Sequence, residues 1–492
     1  MEDRRAVFDA VSINPNSALA AGRLARVVRR VASVALLVLT ACAPYQPAPI
    51  DPVASAERFS ARRLDAPEMR ERIAELIPQR AEAWPPQAWG RVDLLAAALV
   101  LSPKIAVARA QVQVALAHET AAGQTPNPEL TLQSEYARND PHPWLYGLSL
   151  DILLRSPDRR KLEIDLAQLE TSNARWQLMD AAWSVRRSVL AASSDLLAAE
   201  RQVDLLDRLA AAQQRLFDLQ RKRVDAGEDP ADELLAAGQA RIETEQQQAH
   251  ARSQAAVARA ALASAIGITP VALDGIAFDW PEWGEPPDTP ADVLRANSEL
   301  ALRARADLGA AIDAYAEAET KLHQAVMKQY PQFQLSPGYY WDHGVAKFPL
   351  DVGFTLPLFN RSQGEIAEAR AERELAGQRM LSVQAEIIGA IEAAERSEQV
   401  ARASVAAADR GLAAARQQQK NAETSLRLGG IAASESIGTQ VLALRSELEV
   451  AQMRAQLQEA RNALEDALHA PLSGPELKLA QPLPVTISGA GR

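Results

Sequence analysis

The feature that most restricts the fold of this chain is the absence of proline over two very long stretches. No proline occurs between Pro157 and Pro230, or between Pro357 and Pro471, and both stretches are rich in Ala, Leu, Glu, Arg and Gln. These residues favour helix, whereas proline breaks it. At 1.5 Å per residue, a helix over about 158 to 226 would extend about 100 Å. A compact globular domain does not require a rod of this length.

The chain also contains an internal repeat, with an offset of about 203 residues. The matched segments are SPKIAVARAQ at 102 with RADLGAAIDA at 305, PELTLQSEY at 128 with PQFQLSPGY at 331, DAGEDPADELL at 225 with LGGIAASESIG at 428, and ARAALASAIG at 258 with ARNALEDALH at 460. This offset is too long for a solenoid, whose units have about 20 to 50 residues. One folding unit is therefore used twice.

Each half predicts the element order helix, strand, strand, long helix, returning helix. The predicted ranges are a first helix (about 93 to 123, then 291 to 328), two strands (about 128 to 153, then 331 to 357), a long helix (about 158 to 226, then 361 to 428) and a returning helix (about 230 to 266, then 433 to 469).

These elements divide the chain into six regions. They are a signal peptide (1–41), an extended linker with one short helix near EMRERIAELI (42–92), the first repeat (93–269), a connector (270–290), the second repeat (291–471) and a C-terminal tail (472–492).

The N-terminus has the pattern of a bacterial lipoprotein signal. Four arginines between residues 23 and 30 precede the apolar run VASVALLVLT, and the small residues of LTAC follow, ending at Cys42. A positive region, a short apolar region and small residues before a cleavage site define such signals. The thiol of Cys42 would then be acylated and become the mature N-terminus. The alternative is a buried or incidental cysteine behind a short apolar helix, since the run is too short to span a bilayer.

The predicted strands alternate between apolar and polar residues. In YGLSLDIL and DVGFTLPLF, every second residue is apolar, with Ser149, Asp151, Gly353 and Thr355 between. This alternation fits a soluble hairpin and an outer-membrane strand equally well. Aromatic residues at the strand ends favour the membrane, because amphipathic rings prefer the headgroup level. They are Trp144, Tyr146, Tyr339, Tyr340, Trp341 and Phe348.

Two hairpins supply only four strands, which is too few for a membrane barrel. Lipid offers no hydrogen bonds to a free sheet edge, so membrane strands must close on themselves. Known single-chain barrels begin at about eight strands. Several copies of the chain must therefore share one barrel.

The first long helix carries a heptad seam. Apolar residues recur every seven positions, which keeps one narrow stripe facing a partner helix. We interpret this stripe as ordinary coiled-coil core. It comprises Leu162, Leu169, Trp176, Trp183, Leu190 and Leu197.

Several segments together resemble the TolC family of outer-membrane efflux ducts, especially its lipidated members that serve metal and drug pumps. They are PNPELTLQSEY (126–136), YPQFQLSPGYY (330–340), LPLFNRSQGEIAEARAERE (356–374) and the glycine-bearing tips after both long helices. The resemblance covers the chain after Cys42. It implies a mainly α fold with membrane β: a homotrimer whose barrel of about 12 strands continues as a 12-helix periplasmic tunnel. LPLF would finish a barrel strand, Pro357 would end its pairing, and NRSQGEIAEA would start the tunnel helix without a loop.

The resemblance also implies a function. The chain would be the outer-membrane channel of a tripartite efflux system in a Gram-negative bacterium, anchored by lipid at Cys42. It would serve as a passive duct for small molecules or metal ions, with a periplasmic adaptor and an inner-membrane transporter as partners. The alternative is a structural coiled-coil lipoprotein of the envelope without transport. That alternative leaves the paired strands at matched places in both halves without a purpose.

The tips between the antiparallel helices are the candidate recognition sites. Gly227 in the first half, and Gly429 with Gly430 in the second, stand where the chain must reverse, and glycine tolerates the positive φ of such reversals. The resemblance implies that these tips contact the adaptor. Threefold repetition of the first tip would form an acidic ring that favours cations, unless its acids only cap the returning helix. The acids are Asp225, Glu228, Asp229, Asp232 and Glu233.

The remaining composition predicts neither an enzyme nor a nucleic-acid-binding protein. The six histidines are scattered without metal-ligand spacing, and the sequence has neither a phosphate-binding loop nor a nucleophile elbow. We therefore expect no catalytic site, no cofactor and no metal site. The formal net charge of −10 gives no reason to expect nucleic acid as a partner.

Overall fold

The computed structural model describes residues 45–77, 84–356 and 358–478. The chain divides into two units, which meet between Arg58 and Phe59. Helix α1 (Pro52–Ser60) crosses this division and begins in the first unit after Asp51, whose carboxylate accepts the backbone N–H groups of Val53 and Ala54. Everything described below lies in the second unit.

The internal repeat is confirmed by the order and spacing of the elements. The ranges are α2 (Pro67–Leu76) and β1 (Trp89–Gly90); then α3 (Arg91–Leu101), α4 (Pro103–Ala122), β2 (Glu129–Tyr136), β3 (Trp144–Leu154), α5 (Pro157–Asp225) and α6 (Ala231–Ile266); then β4 (Phe278–Asp279); then α7 (Ala291–Ala304), α8 (Ala306–Met327), β5 (Phe333–Asp342), β6 (Val345–Lys347), β7 (Leu350–Phe354), α9 (Gln363–Arg427) and α10 (Ala433–Leu468). Helices α4 and α8 begin at positions that differ by the predicted offset.

The first helix of each half is divided in two, which corrects the single helices predicted over 93–123 and 291–328. Ser102 has an extended backbone (φ −62°, ψ 125°), because Pro103 disfavours helical geometry in the residue before it. Arg305 is also extended (φ −64°, ψ 138°). Its guanidinium binds Asp307 and donates to the carbonyl of Ala467 at the end of α10, which holds the break in place.

The predicted direct passage from strand to long helix occurs in the first half only. There β3 ends at Leu154 and α5 begins at Pro157. The hydroxyl of Ser156 accepts the N–H of Arg159, and proline is favoured in the first helical position because its missing N–H is not needed there.

In the second half, the expectation of a strand through LPLF and no loop is wrong. Strand β7 already ends at Phe354, so Leu356 lies beyond it, and Pro357 is outside the described residues. Helix α9 begins only at Gln363. Ser362 is left-handed (φ 59°), and its N–H binds the side chain of Asn360. This local hydrogen bond offers the backbone an alternative to helix.

The short helix predicted near EMRERIAELI is α2, but the described residues from Leu64 onward, which were expected to be extended linker, are packed. They contribute buried apolar side chains to the core formed with α3, α5 and α6, which are Leu64, Met69, Ile73, Ile77 and Trp89. The sequence analysis underestimated this region because its apolar residues are spread over short helices without a long periodic pattern.

The helices form a layer in a fixed lateral order. Helix α5 packs against α4 and α6 on one side and against α8 and α10 on the other, and α8 and α10 in turn pack against α9. Each long helix therefore lies beside two shorter ones. The order across the layer is α4 with α6, then α5, then α8 with α10, then α9.

The predicted heptad seam of α5 lies in this packing. Leu162 and Leu190 are buried, and the other four members are partly buried. The ring of Trp176 lies so close to Gly309 of α8 that a Cβ there would meet it at 2.5 Å. Trp183 stacks on His469, with ring centroids 4.9 Å apart. Helix α5 has five helical neighbours rather than one, because α3 also packs against it, so its buried surface is wider than the seam.

Strands β2, β3, β5, β6 and β7 form one antiparallel sheet in the order β2, β3, β5 and then β6 with β7, while the short strands β1 and β4 pair separately in parallel. Strands β6 and β7 pair with β5 in one continuous register, from Tyr340 opposite Lys347 to Phe333 opposite Phe354. They are separated at Pro349, which has no N–H to donate, although its carbonyl accepts the N–H of Gly338. The sheet is thus effectively four strands wide, as the two predicted hairpins require.

The contact between Trp176 and Gly309 gives a stability prediction. Gly309→Ala should destabilise the fold by about 1–3 kcal/mol, because the added methyl group overlaps the indole. Gly411→Ala is the matched control: a Cβ on Gly411 would meet nothing within 4 Å, and alanine favours helix. Thermal unfolding in detergent, followed by circular dichroism, measures both. Equal melting temperatures for the two variants would contradict the packing described here.

Candidate functional site

One face of the sheet is apolar and exposed. The register places Leu130 opposite Leu150, Leu132 opposite Leu148 and Leu148 opposite Tyr339, all on this face. Ser134 is the polar exception within the described strands. An exposed apolar surface of this extent marks a site of interaction, because water does not solvate it favourably. Other exposed members of the face are Leu154, Phe333, Phe348, Leu350, Val352 and Phe354.

Aromatic rings gather at both ends of this apolar face. Near the hairpin turns, Tyr146 stacks on Trp341 with centroids 6.4 Å apart, and near the helices Phe333 lies 6.0 Å from Phe354. Eight residues separate Phe333 from Trp341 along β5, which corresponds to about 26 Å. The apolar band of an outer-membrane barrel is about 25 Å tall and is bordered by aromatic girdles. The face has the dimensions and composition of a lipid-contacting strand surface.

The opposite face of the sheet is acidic. Glu129 pairs with Asp151, the hydroxyl of Ser336 donates to Asp151, and Ser336 pairs with Asp351, so three carboxylates lie in one row across the strands. The same face carries Glu135 and Asp342, against the single lysine of the described strands, Lys347. Whatever passes along this face meets an excess of negative charge.

The sheet and the helical layer both end in unpaired edges. Strand β2 has β3 as its neighbour on one side, and β6 with β7 have β5 on one side. In the helical layer, α4 with α6 and α9 stand at the two outer positions. Exposed apolar side chains lie on these outer helices, including Val107 and Val114 on α4 and Leu375, Leu381 and Ile388 on α9.

The two tips reverse the chain with the same backbone geometry. Gly227 and Gly429 both have φ 74°, the left-handed conformation that favours glycine. At the first tip, the N–H groups of Gly227 and Glu228 donate to the carbonyls of Val224 and Arg223. The second tip repeats this pair of bonds, with Gly430 in place of Glu228. Both tips are Schellman motifs, and Gly430 itself does not need a positive φ.

The acids of the first tip are not equivalent. Asp229 accepts two hydrogen bonds from Arg223, at 2.6 and 2.7 Å, and these hold its pKa below the usual value. Asp229 does not cap α6, because Pro230 occupies the cap position. Asp225, Glu228, Asp232 and Glu233 are exposed. The second tip is apolar instead, with Leu428 82% exposed.

Two further predictions from the sequence concern the lipid anchor at Cys42 and the scattered histidines. Cys42 lies outside the described residues. Among the residues described, no group of three or more histidines, cysteines and acids is placed to hold a metal ion. His118 binds Glu170 and His343 binds Asp342, both at 2.6 Å, so these imidazoles have local partners.

No helix in the described ranges is both long and apolar enough to cross a membrane.

A family model of outer membrane efflux proteins matches residues 94–268 and 297–469, which include the sheet and both tips. The chain belongs to the outer membrane efflux protein family. The resemblance to TolC-type ducts is thereby confirmed. No curated protein matches the sequence.

Solved structures share the fold of this efflux-family chain. The outer membrane protein VceC of Vibrio cholerae has a TM-score of 0.63 at 18% identity, covering 77% of this chain and 96% of its own. The CmeC outer membrane channel of Campylobacter jejuni has a TM-score of 0.63 at 13% identity, covering 87% and 93%. The open MtrE channel of Neisseria gonorrhoeae has a TM-score of 0.64 at 16% identity, covering 77% and 88%. At these identities, the similarity establishes the fold alone.

The efflux-family chain also contains a buried ion cluster that the sequence analysis missed. Arg91 lies 2.6 Å from Glu465 and also binds Glu476, while Arg186 binds both of these carboxylates. The N–H of Leu472 donates to Glu465 at 3.0 Å. Burial alone would raise the pKa of Glu465, but the two guanidinium groups outweigh it and keep the pKa below its usual value. The cluster joins α3 and α5 of the first half to α10 and the segment after it.

The internal repeat holds the signal that could have revealed this cluster. Arg91, Arg186 and Glu465 correspond, at the repeat offset, to uncharged residues in the other half, which are Leu294, Gly389 and Ala263. Where the matched position is buried, a charge that replaces an apolar or small residue needs a partner, because an isolated buried charge is costly.

The cluster predicts acid-sensitive stability. Glu465→Gln leaves two buried guanidinium groups short of a carboxylate, so it should cost about 3–5 kcal/mol. Since the folded-state pKa of Glu465 lies below its unfolded value of about 4.3, its contribution is complete above that pH and disappears as the pH falls through the folded-state pKa. Melting temperatures between about pH 3 and pH 7 should therefore depend on pH less steeply in the variant.

Glu200→Gln is the matched control for this measurement. Glu200 pairs with Arg259 at the surface, so its loss should cost at most about 1 kcal/mol. A Glu465→Gln protein as stable as the Glu200→Gln protein at neutral pH would contradict the account of the cluster.

Proposed function

We propose that this chain is the outer-membrane channel of a tripartite efflux system, a passive trimeric duct that exports small molecules or metal ions. The observation that supports this most directly is the four-stranded sheet. It combines a lipid-type apolar face, an acidic face and two unpaired edges. A sheet of this kind is stable in a bilayer only when further strands close it into a barrel.

Closure with copies of the same chain accounts for both layers at once. Three copies contribute about 12 strands, within the known range of about 8 to 26. The apolar faces then contact lipid, and the acidic faces line the pore. The same threefold arrangement closes the helical layer, because α9 of one copy packs against α4 and α6 of the next. The free edges of sheet and helices lie on matching sides of the repeat.

The remaining parts of the proposal rest on the family resemblance. Acylated Cys42 anchors the chain to the outer membrane of a Gram-negative bacterium, and the helices continue into the periplasm. The tips at Gly227, Gly429 and Gly430 contact the periplasmic adaptor, with the inner-membrane transporter as the source of energy. The two tips offer the adaptor different chemistry: a charged surface at the first and exposed Leu428 at the second.

The competing hypothesis is a structural envelope lipoprotein without transport. It explains the helical packing, but it provides no use for an exposed apolar sheet face bordered by aromatic rows. The channel hypothesis accounts for the sheet as well as for the helical layer, and we therefore prefer it.

A cysteine cross-link tests the trimer at a defined position. Within one copy, Trp176 of α5 contacts Gly309 of α8. At the repeat offset, Trp176 corresponds to Arg379 of α9, and Gly309 corresponds to Ala106 of α4. Arg379 and Ala106 are both exposed and lie at opposite edges of the helical layer. The double variant Ala106→Cys, Arg379→Cys should form dimers and trimers on oxidation, visible on non-reducing gels as bands that disappear with reductant.

The matched control pairs Ala106→Cys with Ala390→Cys. Ala390 lies on the same exposed side of α9, three turns or about 16 Å from Arg379. Cross-linking of the control but not of the test pair would refute the predicted register. A protein that stays monomeric in detergent, without a lumen in electron micrographs, would refute the duct itself.

The acidic residues predict a preference for cations. Neutralising the five acids of the first tip to amides should lower the cation preference of single channels in planar bilayers, because three copies would place a ring of negative charge at the entrance. The neighbouring Arg221, Lys222 and Arg223 offset part of that charge. We therefore expect a larger decrease from Glu129→Gln with Asp351→Asn in the sheet. Unchanged selectivity in either variant would remove that set of acids from the proposal.

A further inference from the structure

The segment between β7 and α9 exposes a phenylalanine completely. Phe359 has a relative exposure of 101%, the highest of any large apolar side chain in the described part of the chain, and its neighbours Leu356 and Leu358 are also exposed. One exposed ring needs no explanation at a chain terminus. This segment, however, joins the sheet to the longest helix of the second half.

The backbone around Phe359 has a defined shape. The N–H of Leu358 donates to the carbonyl of Leu356 at 2.9 Å, and the N–H of Ser362 donates to the side chain of Asn360 at 2.8 Å. Ser362 takes the left-handed conformation and its carbonyl accepts the N–H of Ile366 in the first turn of α9. Phe359 is thus presented outward by a segment held at both ends.

A groove of about 510 Å³ lies at the opposite edge of the chain, where α4 ends and β2 is about to begin. Its lining is mixed: the apolar part comes from Ala121, Ala122, Pro126, Leu166 and Ala167, and the polar part includes His118 and the ion pair of Arg155 with Glu163. Both the groove and Phe359 therefore lie at the junction of the sheet and the helices, one at each outer edge of the layer.

The internal repeat shows how these two edges would meet. Within one copy, the guanidinium of Arg159 at the start of α5 donates to the carbonyls of Met327 and Tyr330, both at 2.7 Å, at the end of α8. At the repeat offset, Met327 and Tyr330 correspond to Gln124 and Asn127, which line the groove. Arg159 corresponds to Ser362.

We propose that Phe359 of one copy inserts into the groove at the end of α4 in the next copy. Arg361, one residue before the counterpart of Arg159, then donates to backbone carbonyls just beyond α4, where Arg160 of that copy already donates to the carbonyl of Gly123. This contact rests on the proposed trimer. Phe359 and Arg361 would stabilise the interface between copies at the level where the sheet joins the helices.

A second cross-link tests this contact separately from the ring itself. Phe359→Cys with Ala121→Cys should link neighbouring copies on oxidation. Phe359→Cys with Val107→Cys is the matched control, since Val107 lies about 21 Å back along the same helix and should not link. Linking of the Ala106 and Arg379 pair without the Phe359 and Ala121 pair overturns this inference and leaves the trimer intact. Failure of both pairs overturns the trimer as well.

Variants of Phe359 give an independent measurement. Phe359→Ala should raise the protein concentration at the midpoint of trimer dissociation in detergent at least about tenfold, whereas Phe359→Leu should retain most of the association. A nitroxide label on Phe359→Cys should be shielded from both lipid-soluble oxygen and a water-soluble nickel complex. An unchanged midpoint in Phe359→Ala, or frequent collisions of the label with oxygen, would show that Phe359 faces lipid instead and would overturn the contact.

Discussion

The hydrogen-bonding requirement of the sheet is the constraint on which the rest of this structure depends. One copy supplies an antiparallel sheet whose outer strands leave N–H and C=O groups unpaired along their free sides, next to an apolar face of roughly the thickness of a membrane core. In water such edges invite aggregation, and in lipid they are too costly to leave open. The internal repeat favours closure, because the pairing of β3 with β5 and the packing of α5 with α8 in one copy have counterparts that can form between copies.

The two halves of the repeat differ in side-chain chemistry at matched positions. The two tips share their backbone geometry, but one presents a charged pair, Arg223 with Asp229, and the other presents Leu428. The buried cluster around Glu465 occurs where the other half has alanine. Equal geometry with unequal chemistry gives one chain two distinct surfaces at the ends of its long helices.

Much of the fold could be predicted from the sequence, for identifiable reasons. Absence of proline marked the long helices, and the repeat placed their ends at Gly227 and Gly429 because a reversal between antiparallel helices needs a residue that tolerates positive φ. The alternation in YGLSLDIL gave the correct apolar face. What could not be predicted depends on tertiary contacts. The repeat marks Arg91 and Glu465 as charges without a charged counterpart, but it does not show that they pair, and the break at Arg305 is held by the carbonyl of Ala467. The length of the segment before α9 depends on Ser362, whose left-handed conformation no pattern in the sequence indicates.

The unequal joints between strands and long helices have a mechanical consequence. Helix α5 follows β3 after two residues and is fixed there by a serine cap and a proline, so a rotation of this helix about its own axis passes directly into the sheet. Helix α9 is joined to β7 through a longer segment, from Thr355 to Ser362, which is held by hydrogen bonds between residues two apart in sequence. A displacement of the first long helix therefore acts on its strand, whereas a displacement of the second acts first on the segment that carries Phe359.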